Sequence, residues 1–197
     1  MMATRPLSYT NRRGHTYYLH AGSTKTGKRR YFVAKTVGEG VLAELPKGFE
    51  IIESINGVVS VRRVDPNAPT IPEIDLARVR AELARHSHLR RHRADAVKGE
   101  IIVFEPVGGL SEEHLGHLTS ELGMARQRVE QRMVEFDKRT RYTPVMRLVP
   151  GGGQYALFRM TYRGSGGWSW ALDRGPLEKL AAKYLKQLGT AGFFELH

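Results

Sequence analysis

Three prolines fall within the eight residues Asp65-Pro66-Asn67-Ala68-Pro69-Thr70-Ile71-Pro72. Each proline fixes its own φ, lacks an N–H and pushes its predecessor towards extended backbone. Neither a helix nor a paired central strand can run through such a stretch, so residues 65–72 read as an extended linker. Hydrophobic periodicity changes across it. Before it, short runs alternate with a period of two; after it, apolar residues recur three and four apart. The 197-residue chain therefore reads as α+β in two parts: a small antiparallel β module at 9–64 and a larger α+β domain at 73–197.

In the first part, residues 15–20 and 28–35 are aromatic-rich strands around a Gly22–Gly27 loop. Residues 49–53 and 58–64 flank Asn56-Gly57, the strongest short hairpin signal in the chain. Four strands in this space make a small twisted sheet that needs one face covered. In the second part, Leu76, Val79 and Leu83 predict a helix from Glu73 to about His86. Lys98-Gly99 separates two strands, 93–97 and 100–104. Ser111-Glu112-Glu113 opens a long amphipathic helix marked by Leu115, Leu118, Leu122, Val129, Met133 and Phe136. That stripe is read as core packing, with a homodimer seam as its alternative. Strands are expected at 142–149, with Pro144 arguing for a sheet edge, at 154–162 and at 168–172. A helix follows Gly175-Pro176, with Leu177, Leu180, Tyr184 and Leu188 as its buried stripe, and Phe193 to Leu196 reads as a last short strand.

Charge narrows the partners. Lys and Arg number 31 against 20 Asp and Glu, a net charge of +11, which names a polyanion. The excess is concentrated: residues 1–64 hold eleven basic and four acidic side chains, whereas residues 65–110 hold seven of each. Cysteine is absent, which excludes disulfides, thiolate catalysis and cysteine-bound zinc or iron–sulfur centres. No signal segment and no membrane-spanning run is read, so a cytoplasmic protein with no membrane partner is expected.

The main candidate site is Lys25, Lys28, Arg29 and Arg30 with Tyr17 and Tyr31 beside them, preceded by Arg12 and Arg13 and approached by Arg62 and Arg63. Cations neutralise phosphates and release counterions, and aromatic faces stack on unpaired bases. The plain alternative is a solvated sheet edge with its aromatics turned inward. A secondary face is Arg147, Arg159 and Arg163 on a sheet surface turned away from a helix.

Other patterns carry less. Gly22 to Lys28 fits the opening of a phosphate-binding loop, but Arg29 stands where a magnesium-binding hydroxyl is needed and a strand, not a helix, follows. His86, His88 and His92 cannot all share one face in a single backbone conformation, and Arg85, Arg90, Arg91 and Arg93 oppose a cation there. His114 and His117 lack zinc-protease spacing. Trp168 and Trp170 read as packing residues. No catalytic set, metal site or cofactor is assigned. The expectation is a non-enzymatic nucleic-acid-binding protein, DNA or RNA undistinguished, that contacts mainly the phosphate backbone through a basic β hairpin. The alternatives are a scaffold module for an acidic protein partner and a metal-dependent phosphodiester enzyme.

Overall fold

The structure is a computed structural model that describes residues 5–108, 131, 135, 138–161 and 167–194. The fold is α+β and mostly sheet. The described residues form two compact units that part between Pro66 and Asn67, and the helical residues Gln131, Glu135, Lys138 and Arg139 group with the first.

The first unit holds β1 (Ser8–Thr10), β2 (Thr16–Ser23), β3 (Arg29–Ala34), β4 (Phe49–Glu53) and β5 (Val59–Arg63). These make two antiparallel sheets, β1-β2-β3 and β4-β5, where one sheet was expected. The 15 residues between β3 and β4 contain two Gly-rich turns and run back along β2, with Ala21 N–H donating to Gly40 O at 2.8 Å and Leu42 N–H to Leu19 O at 2.8 Å. That segment takes the sheet edge a fourth strand would have used. Asn11 staples the two sheets. Its amide donates to Gly57 O at 2.7 Å, and its carbonyl accepts from the backbone of Arg13 and His15 at 3.1 and 2.9 Å.

The second unit is a five-stranded antiparallel sheet in the order β10-β9-β8-β7-β6. Its strands are β6 (Arg93–Val97), β7 (Glu100–Val107), β8 (Arg141–Gly151), β9 (Gln154–Arg159) and β10 (Asp173–Gly175). Helices α1 (Glu73–Arg85) and α2 (Leu177–Tyr184) lie on one face. Leu76, Val79 and Leu83 on α1, and Leu177, Leu180, Ala181 and Tyr184 on α2, meet Ile101, Val103, Met146, Leu148 and Leu157 from the sheet. Each buried aliphatic side chain contributes about 1.5–3 kcal/mol through removal of apolar surface from water.

Four expectations change. Pro144 lies in the central strand β8, not at an edge. It is tolerated because β9 pairs with β8 only from Met146 onwards and the β7 register shifts between Val103 and Phe104. Trp168 makes one isolated bridge to Met160, and the edge strand is Asp173–Gly175 instead. Phe193 and Phe194 belong to a short helix, α3 (Ala191–Phe194), in place of a last strand, and Phe193 is buried in the core. Pro176 is the cap of α2, not its first turn. The long helix read from Ser111, and His114 and His117 on it, lie outside the described residues, as do Glu195 and Leu196.

Candidate nucleic-acid interface

The β2–β3 hairpin is shaped by its loop. Thr24 N–H donates to Lys28 O at 2.8 Å, Gly27 N–H to Thr24 O at 2.9 Å, and Lys28 N–H to the Thr24 hydroxyl at 3.1 Å. Gly27 takes φ +78°, a left-handed conformation that suits glycine. The chain then enters β3, so the resemblance of residues 22–28 to a phosphate-binding loop has no helix N-terminus behind it.

Register sorts the cations onto two faces. Leu19, Ala21 and Ser23 oppose Val33, Tyr31 and Arg29, while His20 and Gly22 oppose Phe32 and Arg30. On the first face the Arg29 guanidinium lies 5.7 Å from the Tyr31 ring. Tyr31 meets Phe49 of β4 edge-on at 4.6 Å, and Arg63 lies over Phe49 at 5.5 Å. A row of cation, ring, ring and cation results. On the second face Arg30 lies 5.0 Å over Phe32, which stacks on His20 at 5.4 Å. His20 is only 4% exposed. Its Nδ1 and Nε2 face the carbonyl oxygens of Glu39 and Thr36 at 3.2 and 3.1 Å. A neutral imidazole carries one N–H and donates to only one of them at a time.

Lys25, Lys28, Arg29 and Arg30 are exposed. Among the described residues none of the four pairs with a carboxylate. The structure thus brings Lys25, Lys28, Arg29, Arg30, Tyr31 and Arg63 together. Tyr31 is half-buried, with one side committed to Phe49. Tyr17 shares its sheet face, opposite Tyr9 of β1, beyond Leu19. Tyr9 donates to Glu53 at 2.8 Å, and that bond to an anion holds its phenol proton more tightly than usual.

Other cations sit elsewhere. Arg12 and Arg13 lie at the far end of β2, about 25 Å from the tip at 3.3 Å per residue. There Arg12 bonds Glu53 Oε1 through its N–H and Ile55 O through its guanidinium, and Arg13 packs over Gly57. Arg62 is bonded to Glu50 at 2.8 Å.

The secondary face divides as well. Arg147 opposes Ile102 and Phe158, whereas Arg159 opposes Met146, so the two arginines occupy opposite faces of the sheet. Tyr155 and Leu157, expected on the outward face, line the core under the helices. The Arg147 guanidinium is held between Phe158 at 4.4 Å and Trp168 at 4.9 Å, with Glu100 at 3.6 Å. Arg163 lies outside the described residues.

No group of three metal-ligating side chains occurs among the described residues. His86 is turned to Glu82 at 3.3 Å. His92 has both ring nitrogens buried without a hydrogen-bond partner, and burial, then His88, Arg93 and Arg91, push its pKa down to about 4. Among the described residues no helix is long and apolar enough to cross a membrane. No family model, curated protein or solved structure matches the chain.

Sequence reading missed Asn11, His20 and Phe49. Asn11 resembles any turn asparagine until its second sheet is present. Phe49 acquires its role only when β4 meets β3.

Proposed function

We propose that this protein binds nucleic acid without catalysing a reaction, and that the β2–β3 tip contacts the phosphate backbone. The observation that carries this reading is the exposure of Lys25, Lys28, Arg29 and Arg30 on one short hairpin with no carboxylate to neutralise them. Arg63 adds a fifth cation through the Tyr31–Phe49 contact. Arg12, Arg13 and Arg62 are secondary contacts, because their side chains are already engaged. Phosphate recognition of this kind reads little base sequence. The reading places the protein in the cytoplasm, where DNA or RNA is at hand.

Affinity for a labelled oligonucleotide is expected to fall with a log–log salt slope of about −0.9 per duplex phosphate contacted. Four contacts correspond to roughly a hundredfold loss between 50 and 200 mM salt. Substituting Lys25, Lys28, Arg29 and Arg30 together by Ala should weaken binding across all sequences and flatten the slope by about the number of contacts removed. Arg147→Ala should change it less, since Glu100 already compensates that charge. A flat salt titration, or a hairpin variant that binds like wild type, overturns the reading. Metal-dependent cleavage of the probe would replace it with a phosphodiester enzyme.

A further inference from the structure

Trp170 is 93% exposed, the most open of the large hydrophobic residues described. Its neighbours are not open in the same way. Trp168 and Phe158 present their faces to the Arg147 guanidinium between them. Their stacking capacity is used internally, and Trp170 is left as a ring facing water.

The exposure does not come from a loose tail. Ser169 N–H donates to Arg159 O at 2.9 Å, and Trp168 bridges Met160. The Ser169 hydroxyl donates to Trp170 O at 2.6 Å, and Leu172 N–H donates to Leu157 O at 2.8 Å. Backbone on both sides of Trp170 is therefore tied to β9, and the indole stands out from a pinned segment. A large ring presented this way forgoes burial and costs no further ordering when a flat partner covers it.

Charge says what kind of partner fits. Between residues 159 and 174 the sequence carries Arg159, Arg163 and Arg174 against one acid, Asp173. Asp173 is already bonded to Lys183 Nζ and the Tyr184 hydroxyl, each at 2.8 Å. A flat apolar face beside uncompensated positive charge matches a nucleobase joined to phosphates. In a duplex the base faces are stacked on one another, so only an unpaired base can reach the ring.

We infer that Trp170 is a stacking platform for unpaired bases, so that the nucleic acid bound includes a single-stranded segment. This rests on the nucleic-acid reading above and names its substrate class. Two signals separate the claims: polarisation of a labelled oligothymidylate reports total binding, and tryptophan emission reports this ring. In Trp168→Phe, Trp170 is the sole tryptophan, and its emission should be quenched as single strand saturates the protein. Where Trp168→Phe disturbs the Arg147 stack, the difference in quenching between wild type and Trp170→Phe reads the same ring. Trp170→Ala should weaken single-strand binding about tenfold, the scale of one base–aromatic stack, and leave duplex binding unchanged, while Trp170→Phe retains most of it. Binding by polarisation with no quenching of Trp170 overturns this inference and leaves the hairpin reading standing. Absence of binding by polarisation overturns both. Concentration-dependent dimerisation abolished by Trp170→Ala, with oligonucleotide affinity untouched, would assign the ring to a second copy of the chain and overturn it as well.

Discussion

A single buried imidazole sets much of this protein's expected acid sensitivity. His92 has no hydrogen-bond partner for either nitrogen among the described residues, and it sits among His88, Arg91 and Arg93. Burial and these neighbours hold its pKa at about 4 in the folded state, against an ordinary value near 6.5 in the unfolded chain. The unfolded state therefore takes up a proton that the native state refuses. The stability due to neutral His92 is fully present above about pH 6.5 and is lost as pH falls towards 4, by up to about 3 kcal/mol. Urea unfolding of wild type at pH 7 and pH 4.5 should show this loss. His92→Phe, which carries no titrating group, should show a smaller one, and equal losses in the two proteins would remove His92 as the cause. Asn11 works at the same scale by different means. It is 4% exposed and bonds both sheets of the first unit, yet nothing in its local sequence distinguishes it from a surface turn residue.

At the scale of elements, hairpins signalled by local turn chemistry are legible, and elements that depend on partners are less so. The β6–β7 hairpin follows from Lys98-Gly99. Lys98 adopts φ +52° and Gly99 φ +79°, so both central residues are left-handed, as a two-residue turn matched to strand twist requires. Glycine bears this without strain, but a lysine Cβ crowds the backbone at a cost of about 1 kcal/mol. Lys98→Asn should therefore raise unfolding stability by about 0.5–1 kcal/mol. A rise in the urea midpoint with an unchanged slope would bear this out, and a fall would show that the lysine side chain makes a compensating contact. The helices were legible for a related reason: Leu76, Val79 and Leu83 on α1, and Leu177, Leu180 and Tyr184 on α2, sit at helical spacing and all face the core. Pro144 misled because proline reports a missing N–H, while its position in the sheet depends on where β9 stops pairing.

For the whole molecule, the two compact units part between Pro66 and Asn67, while helical residues 131, 135, 138 and 139 group with the first. Residues 5–66 therefore share a unit with a segment that follows them by more than sixty positions. We expect limited proteolysis to cut within residues 65–68, giving two bands on a denaturing gel. The two pieces should co-elute in native gel filtration, because one compact unit is built from both. Separate elution of a folded N-terminal fragment would show that residues 5–66 are sufficient alone. Pro69 and Ile71, within the proline-rich stretch, pack against Gly99 and the core of the second unit, so the exposed part of that stretch is short.

Residues acting through their own backbone or immediate neighbours settled the α+β class, the hairpins at 22–27, 54–58 and 98–99, helices α1 and α2, and the concentration of positive charge in residues 1–64. Those features depend on φ preference, hydrophobic period and composition, which are local quantities. Tertiary structure alone decided which cations stand together. Arg63 joined the hairpin tip because Phe49 met Tyr31, and Arg12 and Arg13 were removed from it by the length of β2. It also turned Arg147 and Arg159 to opposite sheet faces and left Trp170 in water while Trp168 was enlisted by Arg147. Each of these outcomes rests on a register or a packing partner remote in sequence, and alternation along one strand leaves open which of its two faces the helices will cover.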